Sequence, residues 1–254
     1  MEVVIIGAGM GGLFCGALLA KRDVKVTVLE KNGTAGGGLQ TFVRGGETYE
    51  TGMHVAGGFA EGGILHSLCR YLGIMDRLCL RPADMMLSVT YADSGRTYDL
   101  PAGREAFTDY LTSKFPHQKE NIHRYVDAVF RVSHEEKLFY LESMSGAGDH
   151  SDEFFMSADE FIAKYISDPE LRAVLASINP LSSGIPGHSP AYIHIMISAL
   201  FMENPCWFEG GSGQLAEALR SVIEAAGGRV LTRCEVASVR VQDSCVECVA
   251  DKES

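Results

Sequence analysis

The apolar positions of this chain follow two rhythms. Val3 to Ile6 is a short, β-branched, unbroken apolar run, the pattern of a strand buried on both faces. A helical stretch follows, roughly Gly11 to Lys21, with Leu13, Ala17 and Ala20 on one face. A second apolar strand, Val24 to Leu29, ends in an acid, Glu30. Residues 81–101 alternate and turn, with Asp93-Ser94-Gly95 as the hairpin signal. Ala102 to about Asn204 reads as mainly helical. Ser157 with Glu160 forms a capping box opening a helix through Ile166, and Ser167-Asp168-Pro169 opens the next. Asn179 to Pro190 is loop chemistry. Tyr192 to Met202 is an apolar helix, a core element or the lining of a lipid channel. A helix ending at Gly227-Gly228 leads to two more strands, Arg229 to Thr232 and Glu235 to Val241.

The junction of the first strand and helix carries chemistry. Gly7-Ala8-Gly9-Met10-Gly11-Gly12 is a G-x-G-x-x-G. Gly7 allows the sharp turn off the strand, and Gly9, lacking Cβ, lets a pyrophosphate approach the backbone. Gly12, with Gly16 one turn on, lets the helix pack close to the sheet. The helix N-terminus presents free N–H groups and a positive dipole end to phosphate. Glu30, 23 positions after Gly7, stands where a carboxylate accepts hydrogen bonds from a ribose and repels a 2′-phosphate. Strand, loop, helix, strand and acid in this order predict a dinucleotide site. A second glycine cluster, Gly36-Gly37-Gly38, follows directly.

Glu30, five residues and then Gly36-Gly37 resemble the E-x-x-x-x-x-G-G pattern of flavoproteins in the amine oxidase and phytoene desaturase superfamily. Gly36 to Phe42, Tyr49 to His54, Gly57-Gly58 and Leu65 to Gly73 resemble the phytoene desaturase branch, and within it the retinol 13,14-reductase-like (retinol saturase-like) proteins. Most amine oxidases carry Arg after the glycine pair, where this chain has Gly38. The resemblance implies an α/β protein. A Rossmann-type FAD/NAD(P)-binding domain would span 1–75 plus 205–254, with a mainly helical α+β substrate domain, 76–204, inserted. It implies FAD as cofactor and hydride transfer between flavin and an apolar polyene such as a carotenoid or retinoid. The residues implied to hold the cofactor are Gly7, Gly9, Met10, Gly11, Gly12, Glu30, Lys31, Gly36, Gly37, Gly38, His54 and Val236, the last through its backbone near the adenine. The alternatives are a flavin amine oxidase-like enzyme and a non-catalytic nucleotide-binding fragment. The family's chains are much longer, and the resemblance covers their N-terminal half. In that fold Val3 to Ile6 lies mid-sheet, so here it is expected to show an apolar edge that favours oligomers.

Composition narrows the partners. A formal net charge of −11 with no basic run disfavours nucleic acid. Seven scattered cysteines, and a first strand starting at residue 2, predict a reducing, cytoplasmic setting, with peripheral membrane contact for an apolar substrate. No run approaches the roughly 20 apolar residues of a membrane span. Cys245 and Cys248 are three apart in an expected strand, where side chains point to opposite faces, so no metal is predicted. His188 and His194 lack ligand partners at metal spacing and read as structural or surface residues. Gly210-x-x-Gly213 reads as a turn before a helix. No catalytic side chain stands out; in flavin sites the cofactor carries the chemistry.

Overall fold

The computed structural model describes residues 1–142, 150–182, 184–242 and 245–250. In chain order it contains β1 (Glu2–Ile6), α1 (Met10–Ala20), β2 (Lys25–Leu29), β3 (Thr41–Arg44), β4 (Glu47–Glu50), α2 (Ile64–Leu72), β5 (Leu80–Pro82), β6 (Met85–Thr90) and β7 (Thr97–Pro101). Then come α3 (Arg104–Lys114), α4 (Lys119–Ser133), α5 (Asp152–Phe155), α6 (Ala158–Tyr165), α7 (Pro169–Ala176) and α8 (Ala191–Met202). The chain closes with β8 (Cys206–Phe208), α9 (Gly213–Ala225), β9 (Arg229–Leu231), β10 (Val236–Gln242) and β11 (Cys245–Ala250). Two compact units divide them. One comprises residues 1–54, 68–81 and 207–254, the other 55–67 and 82–206.

The first unit is built on a parallel sheet of order β1-β2-β9. β2, in the middle, is the strand buried on both faces: Val26 and Val28 are inaccessible, and Thr27 and Leu29 nearly so. β1 corrects the expectation drawn from its apolar run. Val4 is 43% and Ile6 56% exposed, while Val3 and Ile5 are half-buried. An apolar run shows that both faces can be covered, but the cover comes from elements distant in sequence. Here α1 lies against Ile5, and no described strand pairs along the other edge of β1. Leu13, Ala17 and Ala20 of α1 are buried, as its pattern predicts. β3 and β4 form a hairpin that the apolar pattern does not predict. Arg44 pairs with Glu47 across Gly45 and Gly46, both at positive φ, as a two-residue primed turn requires. β10 and β11 form a second hairpin. The backbone of Cys245 and Cys248 lies in β11 as expected, but their side chains fall outside the described residues.

The second unit is mainly helical. Its core joins Phe107 and Leu111 of α3, Ile122 and Val129 of α4, Phe161 of α6, Val174 of α7 and Ile195 of α8. The sheet here is the β6/β7 hairpin, closed around Gly95 (φ 67°). The Ser157–Glu160 capping box is formed in both directions, and Asp168 caps α7 through the amide of Leu171 at 2.9 Å, with Pro169 in the first turn. α8 buries Ala191, Ile195 and Ala199, the core reading of this helix. His194 is buried among α8's neighbours. Its Nδ1 donates to the Asn179 amide oxygen at 2.8 Å, which leaves Nε2 to accept from the Tyr125 hydroxyl at 2.7 Å. Burial pushes its pKa down to about 4, so the ring is neutral and structural. His188 is exposed. Among the described residues no helix is long and apolar enough to cross a membrane.

Candidate dinucleotide-binding site

The site begins where β1 ends. Gly7 leaves the strand at φ 95°, and its amide still donates to the Leu29 carbonyl of β2 at 2.7 Å. That conformation costs little only for a residue without Cβ. Gly9 caps α1 with extended backbone, and no side chain hydrogen-bonds the helix's first turn. The amide end of α1 is therefore uncapped by side chains, where partial positive charge concentrates. A Cβ on Gly9 would meet nothing within 4 Å, so the space beside this backbone is open. Gly12 is tightly enclosed: its Cβ would fall 2.1 Å from the Gly7 carbonyl oxygen, so this position holds the helix against the strand. Gly16 serves the same packing, with Ile223 of α9 2.9 Å from its absent Cβ.

The two glycine clusters meet. The Gly36 amide donates to the Ala8 carbonyl at 2.6 Å, and Gly9 and Gly36 form a parallel bridge. Gly36 and Gly37 adopt φ of 124° and 56°, and a Cβ on Gly37 would press to 3.1 Å from the Gly9 Cα. Gly38 is open, with nothing within 4 Å of its Cβ position. Sequence spacing could suggest that these glycines serve one ligand. The structure adds that their backbones touch.

Glu30 locks this junction. Its side chain is buried, with Oε2 accepting from the Ala8 amide and Oε1 from the Asn32 amide, both at 2.8 Å. Its own amide donates to Leu231 of β9, and its carbonyl accepts from Cys234. Each carboxylate oxygen retains a lone pair for a further donor. Lys31 beside it is exposed, and Val236 opens β10 a few residues beyond the Cys234 contact. Met10 and Gly11 head α1, with open space at Gly11. His54 is exposed, and among the described residues no hydrogen bond or ion pair joins it to the glycine clusters.

One pair of residues in this unit lay beyond sequence reasoning. Ser212 is the N-cap of α9, yet its hydroxyl does not cap the helix. It is turned to the Glu50 carboxylate and the Leu39 carbonyl, while its amide donates to Glu50 Oε1 at 2.6 Å. Gly210 and Gly211 form the expected turn, and a Cβ on Gly211 would stand 2.6 Å from Thr41 Cγ2. The clasp ties the hairpin of β3 and β4, the second glycine cluster and α9 together. The only local signal was a Ser ahead of a helix, which predicts an ordinary cap.

Comparison with known proteins places this geometry. The model of the flavin containing amine oxidoreductase family matches residues 10–253. The all-trans-retinol 13,14-reductase of Homo sapiens is 32% identical over 267 residues, covering 98% of this chain and 43% of that protein. A chloroplastic prolycopene isomerase of an Oncidium hybrid cultivar is 26% identical, covering 95% of this chain and 44% of its own length. The chain thus spans less than half the length of the curated relatives it matches. The crystal structure of an oxidoreductase from Methanosarcina mazei superposes with a TM-score of 0.65 at 20% identity, over 98% of this chain and 57% of that one. That likeness shows the fold, an α/β unit of the Rossmann type with mixed helical and sheet content.

Proposed function

The chain belongs to the flavin containing amine oxidoreductase family, and from that membership we propose that its first unit binds FAD and that the protein of which it forms at least a part is an FAD-dependent oxidoreductase acting on apolar polyenes. One observation carries the cofactor reading: two glycine clusters in backbone contact, beside an uncapped helix N-terminus, with a buried carboxylate behind them. These residues fit a dinucleotide. The amides from Gly9 to Gly12 would take the pyrophosphate, with Met10 and Gly11 at its edge. Glu30 would accept from the ribose, flanked by Lys31 and by the backbone of Val236. Gly36, Gly37 and Gly38 would admit the second half of the cofactor, with His54 on its path. When bound, the flavin supplies hydride transfer chemistry, and the chain's own share is to hold and orient it and to exclude water.

The polyene reading rests on the relatives, a retinol reductase and a prolycopene isomerase, and on Gly38, which removes the cation usual in amine oxidases. In this proposal residues 1–75 and 205–254 serve the nucleotide and 76–204 the substrate. The protein works in the cytoplasm at a membrane surface, where apolar substrates collect, and the open edge of β1 favours association into an oligomer. The test is a spectrum and a titration. FAD added to the purified chain should bind, and bound flavin absorbs near ~450 nm. Calorimetry should show FAD or ADP preferred over NADH. Tight NADH binding with no response to FAD would refute the cofactor assignment.

A further inference from the structure

Two helices of the first unit begin beside glycines, and their amide ends differ. At α1 no side chain hydrogen-bonds the first turn. At α9 a carboxylate from elsewhere in the chain already sits there. Glu50 accepts from the Ser212 amide at 2.6 Å through Oε1, and from the Ser212 hydroxyl through Oε2. The positive end of the α9 dipole favours that charge. Ser212 is fully buried and Glu50 half-buried, so the contact is largely shielded from water.

This contact grips the second glycine cluster from two sides. On the α9 side, the Ser212 hydroxyl lies 3.2 Å from the Leu39 carbonyl oxygen, and a Cβ on Gly213 would stand 3.6 Å from the same oxygen. Leu39 is 1% exposed and ends the tight turn Gly37–Leu39, its amide donating back to the Gly36 carbonyl at 3.0 Å. Leu39 is thus the buried anchor of the turn, while Gly37 and Gly38 stay exposed. On the β4 side, the amide and hydroxyl of Thr51 both donate to the Gln40 carbonyl, at 3.1 and 2.7 Å. A Cβ on Gly52 would stand 3.2 Å from the Gly38 carbonyl oxygen. The Glu50 carboxylate joins these two sides to each other.

Such a grip has a physical reason. Glycines lose more conformational freedom on ordering than any other residue, and Gly36 to Gly38 have no side chains with which to hold their own turn. The order must come from outside the cluster. The first cluster has a separate anchor, Glu30 on the Ala8 amide. Among the described residues no hydrogen bond runs from Glu50 or Ser212 to Glu30 or to Gly7 through Gly12.

We infer, resting on the FAD reading, that Glu50 and Ser212 are positioning residues for the flavin half of the cofactor. They hold Gly36, Gly37 and Gly38 in the arrangement that receives it, and they leave the ADP half to Glu30 and α1.

The experiment titrates the 254-residue chain with FAD and with ADP by calorimetry. The wild type should bind FAD more tightly than ADP. Glu50→Leu should weaken FAD about tenfold, as follows if the turn keeps its receptive arrangement about a tenth of the time, and should leave ADP affinity unchanged. Glu50→Gln should restore FAD binding. Its amide oxygen still accepts from the Ser212 amide, and its NH₂ donates to the hydroxyl, whose proton turns to Leu39. Ser212→Ala keeps the amide contact and loses the hydroxyl, so it should lose part of the FAD affinity alone, and it decides the matter if Glu50→Leu does not fold. A purely structural clasp would weaken both ligands in parallel, and that result, or unchanged FAD affinity, would overturn the inference. Equal affinity of the wild type for FAD and ADP would also overturn it, leaving the dinucleotide site standing. If the wild type binds neither, the FAD reading falls and the inference with it.

Discussion

Glu30 has two separable jobs, and substitution can divide them. Its carboxylate holds the amides of Ala8 and Asn32 before any ligand arrives. The two contacts are unequal. Ala8 is fully buried, so an amide released there finds no water, whereas Asn32 is exposed and its amide can be solvated. Glu30→Ala should therefore cost about 2–3 kcal/mol, nearly all at Ala8, the range for a buried donor losing a charged acceptor. Glu30→Gln keeps one acceptor for Ala8 and turns its NH₂ toward Asn32, so its cost should be about 1 kcal/mol. Urea unfolding followed by Trp207, the chain's one tryptophan and part of the same unit, measures this directly. With a slope of about 2 kcal/mol/M, the midpoint should fall by roughly 1–1.5 M for Ala and about 0.5 M for Gln. ADP affinity is then read in Glu30→Gln, where the loop is largely retained; a loss of about 1–2 kcal/mol there belongs to the ribose. An unchanged urea midpoint in Glu30→Ala would refute the anchoring argument, and unchanged ADP affinity in both variants would refute the ribose assignment.

The glycine loop offers a paired test. Gly9→Ala places Cβ in open space at φ −75°, so stability should be retained while FAD and ADP binding is lost. Gly12→Ala drives Cβ onto the Gly7 carbonyl oxygen and should cost more than about 2 kcal/mol or abolish folding of the unit. Nucleotide binding that survives Gly9→Ala, or native stability in Gly12→Ala, would contradict the geometry. His194 predicts a pH dependence. Its folded pKa is depressed to about 4 by burial, against an ordinary 6.5, so its contribution is complete above pH 6.5 and is lost as pH falls through 4. The loss amounts to up to about 3 kcal/mol, since each pH unit between those two values is worth about 1.4 kcal/mol. His194→Gln should flatten the stability profile of the second unit between those limits, and an unaltered profile would exclude the buried neutral imidazole as its source.

The sequence by itself determined the β1–α1–β2 order, the turn at Gly7, the cap of α6, the hairpin at Gly95 and the helical character of residues 102–204. All of these depend on neighbours within a few positions, so periodicity, capping residues and turn glycines record them. It also set Glu30 at the end of β2 and the two glycine clusters at the ends of β1 and β2, because that spacing follows from the length of one helix and two strands. Tertiary structure decided what those groups touch. Glu30 reaches back 22 residues to Ala8, and Ser212 abandons its helix for Glu50 across 162 residues. Neither contact leaves a local pattern, and in each the distant partner outcompetes or supplements the local bond that propensity describes. The exposure of Val4 and Ile6 was undetermined for the same reason. An apolar strand declares that burial is favourable, while the covering surface is set by the packing of elements far along the chain.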